Sequence, residues 1–249
     1  MKFDVAAHAY AHRGLWGGDD SPENSLIAFR AASVYEVGAE LDVRLTADGH
    51  PVVFHDATLQ RLCNHPARIA DLTLRDLRVI PLPDGSPIPT LAEALTEMDG
   101  QPVLIELKVD APEAGADLAE AVAAVLRDAD GPFAAPCAAM SFHAPTVARL
   151  RQLIANRPIG MLIEPAAQAG RDAVLARLRH AADIGCDYLA PHHTSLETVA
   201  AHAPGSPLVS WTIAEPDQLA LARRFNAAPI FENMTPSRAR GVPPPPQGA

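Results

Sequence analysis

The chain has 249 residues, 48% of them hydrophobic, and a formal charge of −10 from 20 basic against 30 acidic side chains. That length suits one large domain or two small ones, and about 250 residues is typical of a single (β/α)8 barrel. The acidic balance argues against a nucleic-acid partner or an anionic-membrane surface, and leaves a small anionic ligand to be decided by local charge. Cys63, Cys137 and Cys186 are odd in number and not spaced as a metal or redox motif, which points to a reducing compartment. Residues 1–14 lack a signal-peptide apolar run, and no segment approaches the ~20 apolar residues of a membrane span. A cytoplasmic protein without stable membrane insertion is expected. The end, GVPPPPQGA at 241–249, reads as a disordered polyproline tail, which leaves 1–240 as one domain. Oligomeric state is not legible.

In chain order, 7–12 reads as a strand and 22–36 as a helix, with Ser21 as N-cap and Pro22 at the first helical position. A strand at 38–43 is followed by a returning arm at 51–55. Helical patterns lie near 73–78 and 90–98. Strands at 101–109, 137–142, 158–163, 186–192, 207–213 and 228–233 then alternate with helices at 115–129, 145–156, 170–183, 195–202 and 215–225. Apart from the arm, eight strands of near-continuous apolar character alternate with helices. That predicts a parallel sheet covered by helices, closed as a single (β/α)8 TIM barrel with an extra β-hairpin arm after strand 2. An open doubly wound sheet is the alternative, but no G-x-G-x-x-G follows the first strand.

Asp48-Gly49 is a strong signal for a two-residue type I′ turn. With those two residues as the loop, Arg44 faces Val53 and Asp42 faces His55, so Glu40, Asp42 and His55 share one face. In a barrel the active site lies at the C-terminal strand ends. There His12-Arg13, Glu40, Asp42, Glu106 and Lys108 gather. His143, His192-His193, Trp211 and Glu232-Asn233 stand at later strand ends. Glu106 and Lys108 could be a buried structural pair, although such pairs stabilise poorly. Three carboxylates on adjacent strands repel one another unless a hard divalent cation joins them, and oxygen ligands suit Mg2+ or Ca2+. His12 and His55 suit general acid-base work. Arg13 and Lys108 bring charge for a phosphate. Metal-assisted phosphoester chemistry is the expectation.

AHRG at 11–14, PENS at 22–25, ELDVRLTADGHPVVFHD at 40–56, IPTLAEAL at 88–95 and IELK at 105–108 occur in order. Together they resemble the glycerophosphodiester phosphodiesterases. Ser141-Phe142 and Ser210-Trp211-Thr212 extend the resemblance more thinly. It implies a (β/α)8 barrel that uses a divalent metal to hydrolyse a small-molecule phosphodiester, a glycerophosphodiester, to glycerol 3-phosphate and an alcohol. By position it implies His12 and His55 as the catalytic histidines and Glu40, Asp42 and Glu106 as metal ligands. Arg13 and Lys108 are then the phosphate contacts, and Trp211 lines the glycerol pocket. The last strand ends in Glu232-Asn233, where the family commonly has a Thr-Asp pair before proline. A competing reading keeps the site for phospholipase D-like hydrolysis of lysophospholipids or another phosphodiester. A third is a non-catalytic phosphate-binding module.

Overall fold

Eight parallel strands close into a barrel in the computed structural model, which describes residues 3–128 and 136–241. The strands are β1 (Tyr10–Ala11), β2 (Gly38–Leu45), β3 (Pro51–Val53), β4 (Val103–Leu107), β5 (Cys137–Ser141), β6 (Ile159–Ile163), β7 (Tyr188–Pro191), β8 (Leu208–Ile213) and β9 (Ala227–Phe231). The sheet runs β1-β9-β8-β7-β6-β5-β4-β2, and β1 pairs with both β2 and β9 to close it. β3 lies antiparallel on the outside of β2. The expected barrel with a hairpin arm is therefore present. The proline-rich tail falls, from residue 242 on, outside the described residues.

Most strands are buried on both faces, as a helix-covered parallel sheet requires. One set of side chains fills the barrel, among them Tyr10, Leu104, Met140, Leu162, Tyr188 and Ile230. The alternate set, including Leu41, Val43, Ile105 and Met161, packs under the helices. Tyr10 and Tyr188 fit only because small residues face them. A Cβ on Gly38 would lie 2.7 Å from the Tyr10 ring, and one on Gly160 would lie 2.3 Å from the Tyr188 ring. Between β3 and β4 the chain makes an excursion with its own small core of Val52, Phe54, Leu59, Ile69, Leu77, Leu82 and Ile88. It includes the short helices α2 (Gln60–Cys63) and α3 (Leu74–Leu77).

Three expectations about local structure are corrected. The first helix, α1 (Leu26–Val34), starts four residues late. Its N-cap is Ser25, whose hydroxyl accepts from Ala28 N, because Asn24 takes a left-handed φ of 57° that a helix interior cannot hold. The hairpin is also shifted by one residue. Arg44 pairs with Val52 and Val43 with Val53, and Thr46 N donates to His50 O, so the loop is Ala47-Asp48-Gly49. Only Gly49, at φ 81°, is left-handed. A three-residue turn ending in a left-handed glycine replaces the type I′ turn. The partner of Asp42 is then Phe54, whose N–H donates to Asp42 O at 2.9 Å. The cross-strand argument for His55 thus fails. β1 is also shorter than the 7–12 expected, because Val5–Ala7 form a 3-10 turn.

Candidate active site

The carboxylates of Glu40, Asp42 and Glu106 offer oxygens that lie within 4.8 Å of one another, and all three side chains are buried. β2 and β4 put them there. Glu40 and Asp42 are two apart on β2, and the parallel register sets Asp42 beside Glu106. Lys108 Nζ lies 2.7 Å from Glu106 Oε1 and 3.1 Å from Asp42 Oδ1. Arg13 reaches the cluster from the end of β1. Its backbone N–H donates to Glu40 Oε2 at 3.2 Å, and its Nε lies 3.3 Å from Asp42 Oδ2. Asn24 braces Asp42 from both sides, donating to Oδ2 at 2.9 Å and accepting from Asp42 N at 3.3 Å.

The charges in this pocket do not balance. Burial would raise Asp42, but Lys108 and Arg13 outweigh it and hold the carboxyl well below the usual range. Burial, with Asp42 and Glu106 nearby, drives Glu40 well above it. Burial also raises Glu106, partly offset by Lys108. Lys108 is raised despite its own burial, because Asp42 and Glu106 hold its proton. Three carboxylates face one ammonium and one guanidinium, and Glu106 Oε1 makes no aligned hydrogen bond. This is a donor set of the kind that takes a hard divalent cation.

Two histidines flank the cluster, each anchored in the same manner. His12 Nδ1 lies 2.9 Å from Glu232 Oε2, and His55 Nδ1 lies 2.7 Å from Asp56 Oδ1. The hydrogen bond from His12 lowers Glu232. Burial lowers His55, against the opposing pull of Asp42. His55 therefore does share the space of the carboxylates, though not through strand register. The chain leaves β3 at Phe54 and bends, and Arg44 holds the bend. Arg44 Nε and Nη2 both donate to His55 O, at 2.8 and 2.5 Å, while Nη1 pairs with Asp110.

Trp211 lines a small cleft with His12, Glu40 and Glu106. Its indole N–H donates to Ala190 O at 2.8 Å, and Phe142 and His192 pack edge-on against it. His192 and His193 pack with centroids 4.1 Å apart and their rings tilted by 35°, and of the two His192 meets Trp211. His143 is held by Thr146 at 2.9 Å.

All eight residues expected from the sequence border one mouth. Sequence reasoning assigned no role to Glu23, Asn24, Arg44, Asp56, Arg61 or Glu232. Glu23 accepts from Arg13 and Arg61, and Arg61 Nε lies 2.6 Å from Asp56 Oδ2. Glu23 and Asn24 were legible only as part of PENS, which looked like helix.

Residues 12–235 match the model of the Glycerophosphoryl diester phosphodiesterase family. The chain belongs to this family. As a member of the glycerophosphoryl diester phosphodiesterase family it resembles human "Glycerophosphodiester phosphodiesterase 1", 42% identical over 100 residues, which cover 36% of this chain and 29% of that protein. The chain thus spans under a third of the mammalian relatives it matches. A Bacillus subtilis glycerophosphodiester phosphodiesterase is 26% identical over 214 residues, 77% of this chain and 72% of its own. Among solved structures, an Oleispira antarctica phosphodiesterase in complex with the product sn-glycerol-3-phosphate superposes with a TM-score of 0.77. It is 23% identical and covers 94% of both chains, so it shares the fold. Among the described residues of this family member, no helix is long and apolar enough to cross a membrane.

Proposed function

We propose that this chain hydrolyses glycerophosphodiesters to glycerol 3-phosphate and an alcohol, with residues 1–240 as the catalytic barrel, acting in the cytoplasm. The observation that carries the reading is the buried triad Glu40, Asp42 and Glu106 set between two carboxylate-anchored histidines. Family membership supports it, as does the phosphodiesterase of the same fold that holds sn-glycerol-3-phosphate.

The triad would hold Mg2+ or Ca2+, which supplies charge neutralisation at the phosphoryl oxygens when bound. Arg13 and Lys108, already at the rim of the triad, add positive charge toward the phosphate. His12 and His55 each have Nδ1 tied to a carboxylate, which leaves Nε2 to move a proton. One imidazole takes a proton from the attacking water as its oxygen forms the new P–O bond. The other gives a proton to the departing alkoxide as the old P–O bond breaks, so the products leave as a phosphomonoester and a neutral alcohol. Trp211 presents an apolar wall to the glycerol carbons.

The test is turnover of glycerophosphocholine by purified protein with Mg2+, Ca2+ or Mn2+ supplied. EDTA should abolish it. His12→Ala and His55→Ala should each lower kcat by roughly 10²–10⁴ while retaining metal binding. Failure to turn over any glycerophosphodiester with all three metals supplied overturns the reading. A higher kcat/KM for the matching lysophospholipid would reassign the substrate.

A further inference from the structure

We propose that Glu232 is a positioning residue, whose carboxylate fixes the tautomer and orientation of His12 from the last strand of the barrel. The proposal rests on the acid-base reading of His12 given above. His12 and Glu232 follow the in-register pair Ala11 and Phe231 of the parallel β1–β9 ladder. They continue the inward-facing rows of Tyr10 and Ile230, both of which lie in the barrel interior. Barrel closure alone therefore brings a carboxylate to His12 Nδ1, at 2.9 Å.

The pair is not needed to hold the seam. His12 N donates to Phe231 O at 2.9 Å, and Glu232 N donates to Ile213 O at 3.1 Å, so both backbones are already pinned. The side chains are 16% and 26% exposed. A side-chain contact that close to water adds little stability. A carboxylate at the mouth is also a cost for a site that must admit an anionic phosphodiester, since like charges repel. What the carboxylate does supply is an acceptor for Nδ1–H. With Nδ1 protonated and aimed at Glu232, Nε2 carries the lone pair and turns toward the cleft that His12 lines with Glu40, Glu106 and Trp211. Asp56 stands in the same relation to His55, so both imidazoles are oriented through Nδ1. The two anchors differ in origin. Asp56 is the chain neighbour of His55, whereas Glu232 comes from the far end of the sequence.

The experiment has two arms. In the kinetic arm, Glu232→Ala should lower kcat roughly 10- to 100-fold, the size found when a histidine loses its orienting partner, with KM within about threefold. In a His12→Ala background the same change should cost nothing further, because Glu232 acts only through His12. An additive loss in the double variant, or a kcat unchanged in Glu232→Ala, overturns the proposal. The second arm reads the imidazole directly by 15N NMR of the wild-type protein and needs neither turnover nor a folded variant. His12 should show Nδ1 protonated and Nε2 unprotonated when neutral. A wild-type His12 protonated at Nε2 overturns the proposal. Loss of all turnover in wild type alongside the expected tautomer would reject the phosphodiesterase reading and leave the Glu232–His12 geometry standing.

Discussion

Arg44 holds His55 in place through a fork that lysine cannot reproduce. Arg44 is 8% exposed, and its guanidinium donates twice to His55 O and pairs with Asp110. A hydrogen bond from a charged donor contributes about 1.5–3 kcal/mol net, and a partly exposed ion pair contributes up to about 1 kcal/mol. Arg44→Ala should thus cost about 3 kcal/mol. At roughly 2–4 °C per kcal/mol for a chain of this size, Tm should fall by about 6–12 °C. Arg44→Lys keeps the charge but reaches only one partner, so about 1–2 kcal/mol is lost. Both variants free the bend at His55, and an ångström of misplacement costs up to roughly 10²-fold in kcat. Urea unfolding followed by circular dichroism gives the stability, and glycerophosphocholine turnover well below Tm gives kcat. An Arg44→Lys protein with wild-type midpoint and wild-type kcat would refute the argument that the fork, rather than the charge, sets the bend.

Addition of Mg2+ or Ca2+ at 100-fold over Kd should stabilise the wild type by about 2.7 kcal/mol; calorimetry should show the gain reversed by EDTA and diminished in Glu106→Gln, and a wild-type Tm indifferent to both metals would contradict the triad's role. Burial and the neighbouring His193 push His192 down to about 4, against about 6.5 when unfolded. The folded state therefore favours the neutral ring. Its contribution is intact above pH 6.5 and is lost as pH falls toward 4, by at most about 1 kcal/mol once solvent screening is allowed for. His192→Gln should flatten the urea midpoint over that window, and an unchanged slope would discount the residue. Gly160→Ala sets a methyl 2.3 Å from the Tyr188 ring, so about 1–3 kcal/mol should be lost to overpacking, with kcat of the folded protein unchanged. A Gly160→Ala midpoint equal to wild type would mean that the ring can move aside.

The apolar periodicity made the βα alternation legible, because strands buried on both faces leave near-continuous runs such as Val103–Leu107. Site residues within or just past those runs, Glu40, Asp42, Glu106 and Lys108, stood out by contrast. The hairpin register was not legible to one residue. Asp48-Gly49 fits both a two-residue and a three-residue loop, and the difference lies in whether Asp48 adopts positive φ, which its side chain allows but does not require. His55 reached the site regardless, because a bend held by Arg44 set its direction after the strand had ended. Pro22 to Ser25 looked like helix, since proline at a first turn and polar residues before an apolar run are helix signals. The segment instead lends Glu23 and Asn24 to the site, a demand made by Arg13 and Asp42 that no local pattern carries. Glu232 lies 220 residues from its partner, beyond the reach of any spacing rule.

On the proposed acid-base role of His12, the seam where β1 meets β9 makes catalytic competence depend on the order of biosynthesis. At about 5–20 residues per second, His12 is made roughly 10–40 s before Glu232. β9 enters between β8 and β1, so until it is synthesised those two strands present open edges, and His12 has neither its carboxylate nor the Phe231 carbonyl that fixes its backbone. A product of premature termination before residue 227 lacks this strand. It is expected to be inert and open to degradation, not partly active. The last strand thus serves as a completeness check, since the event that seals the barrel is also the one that finishes the site.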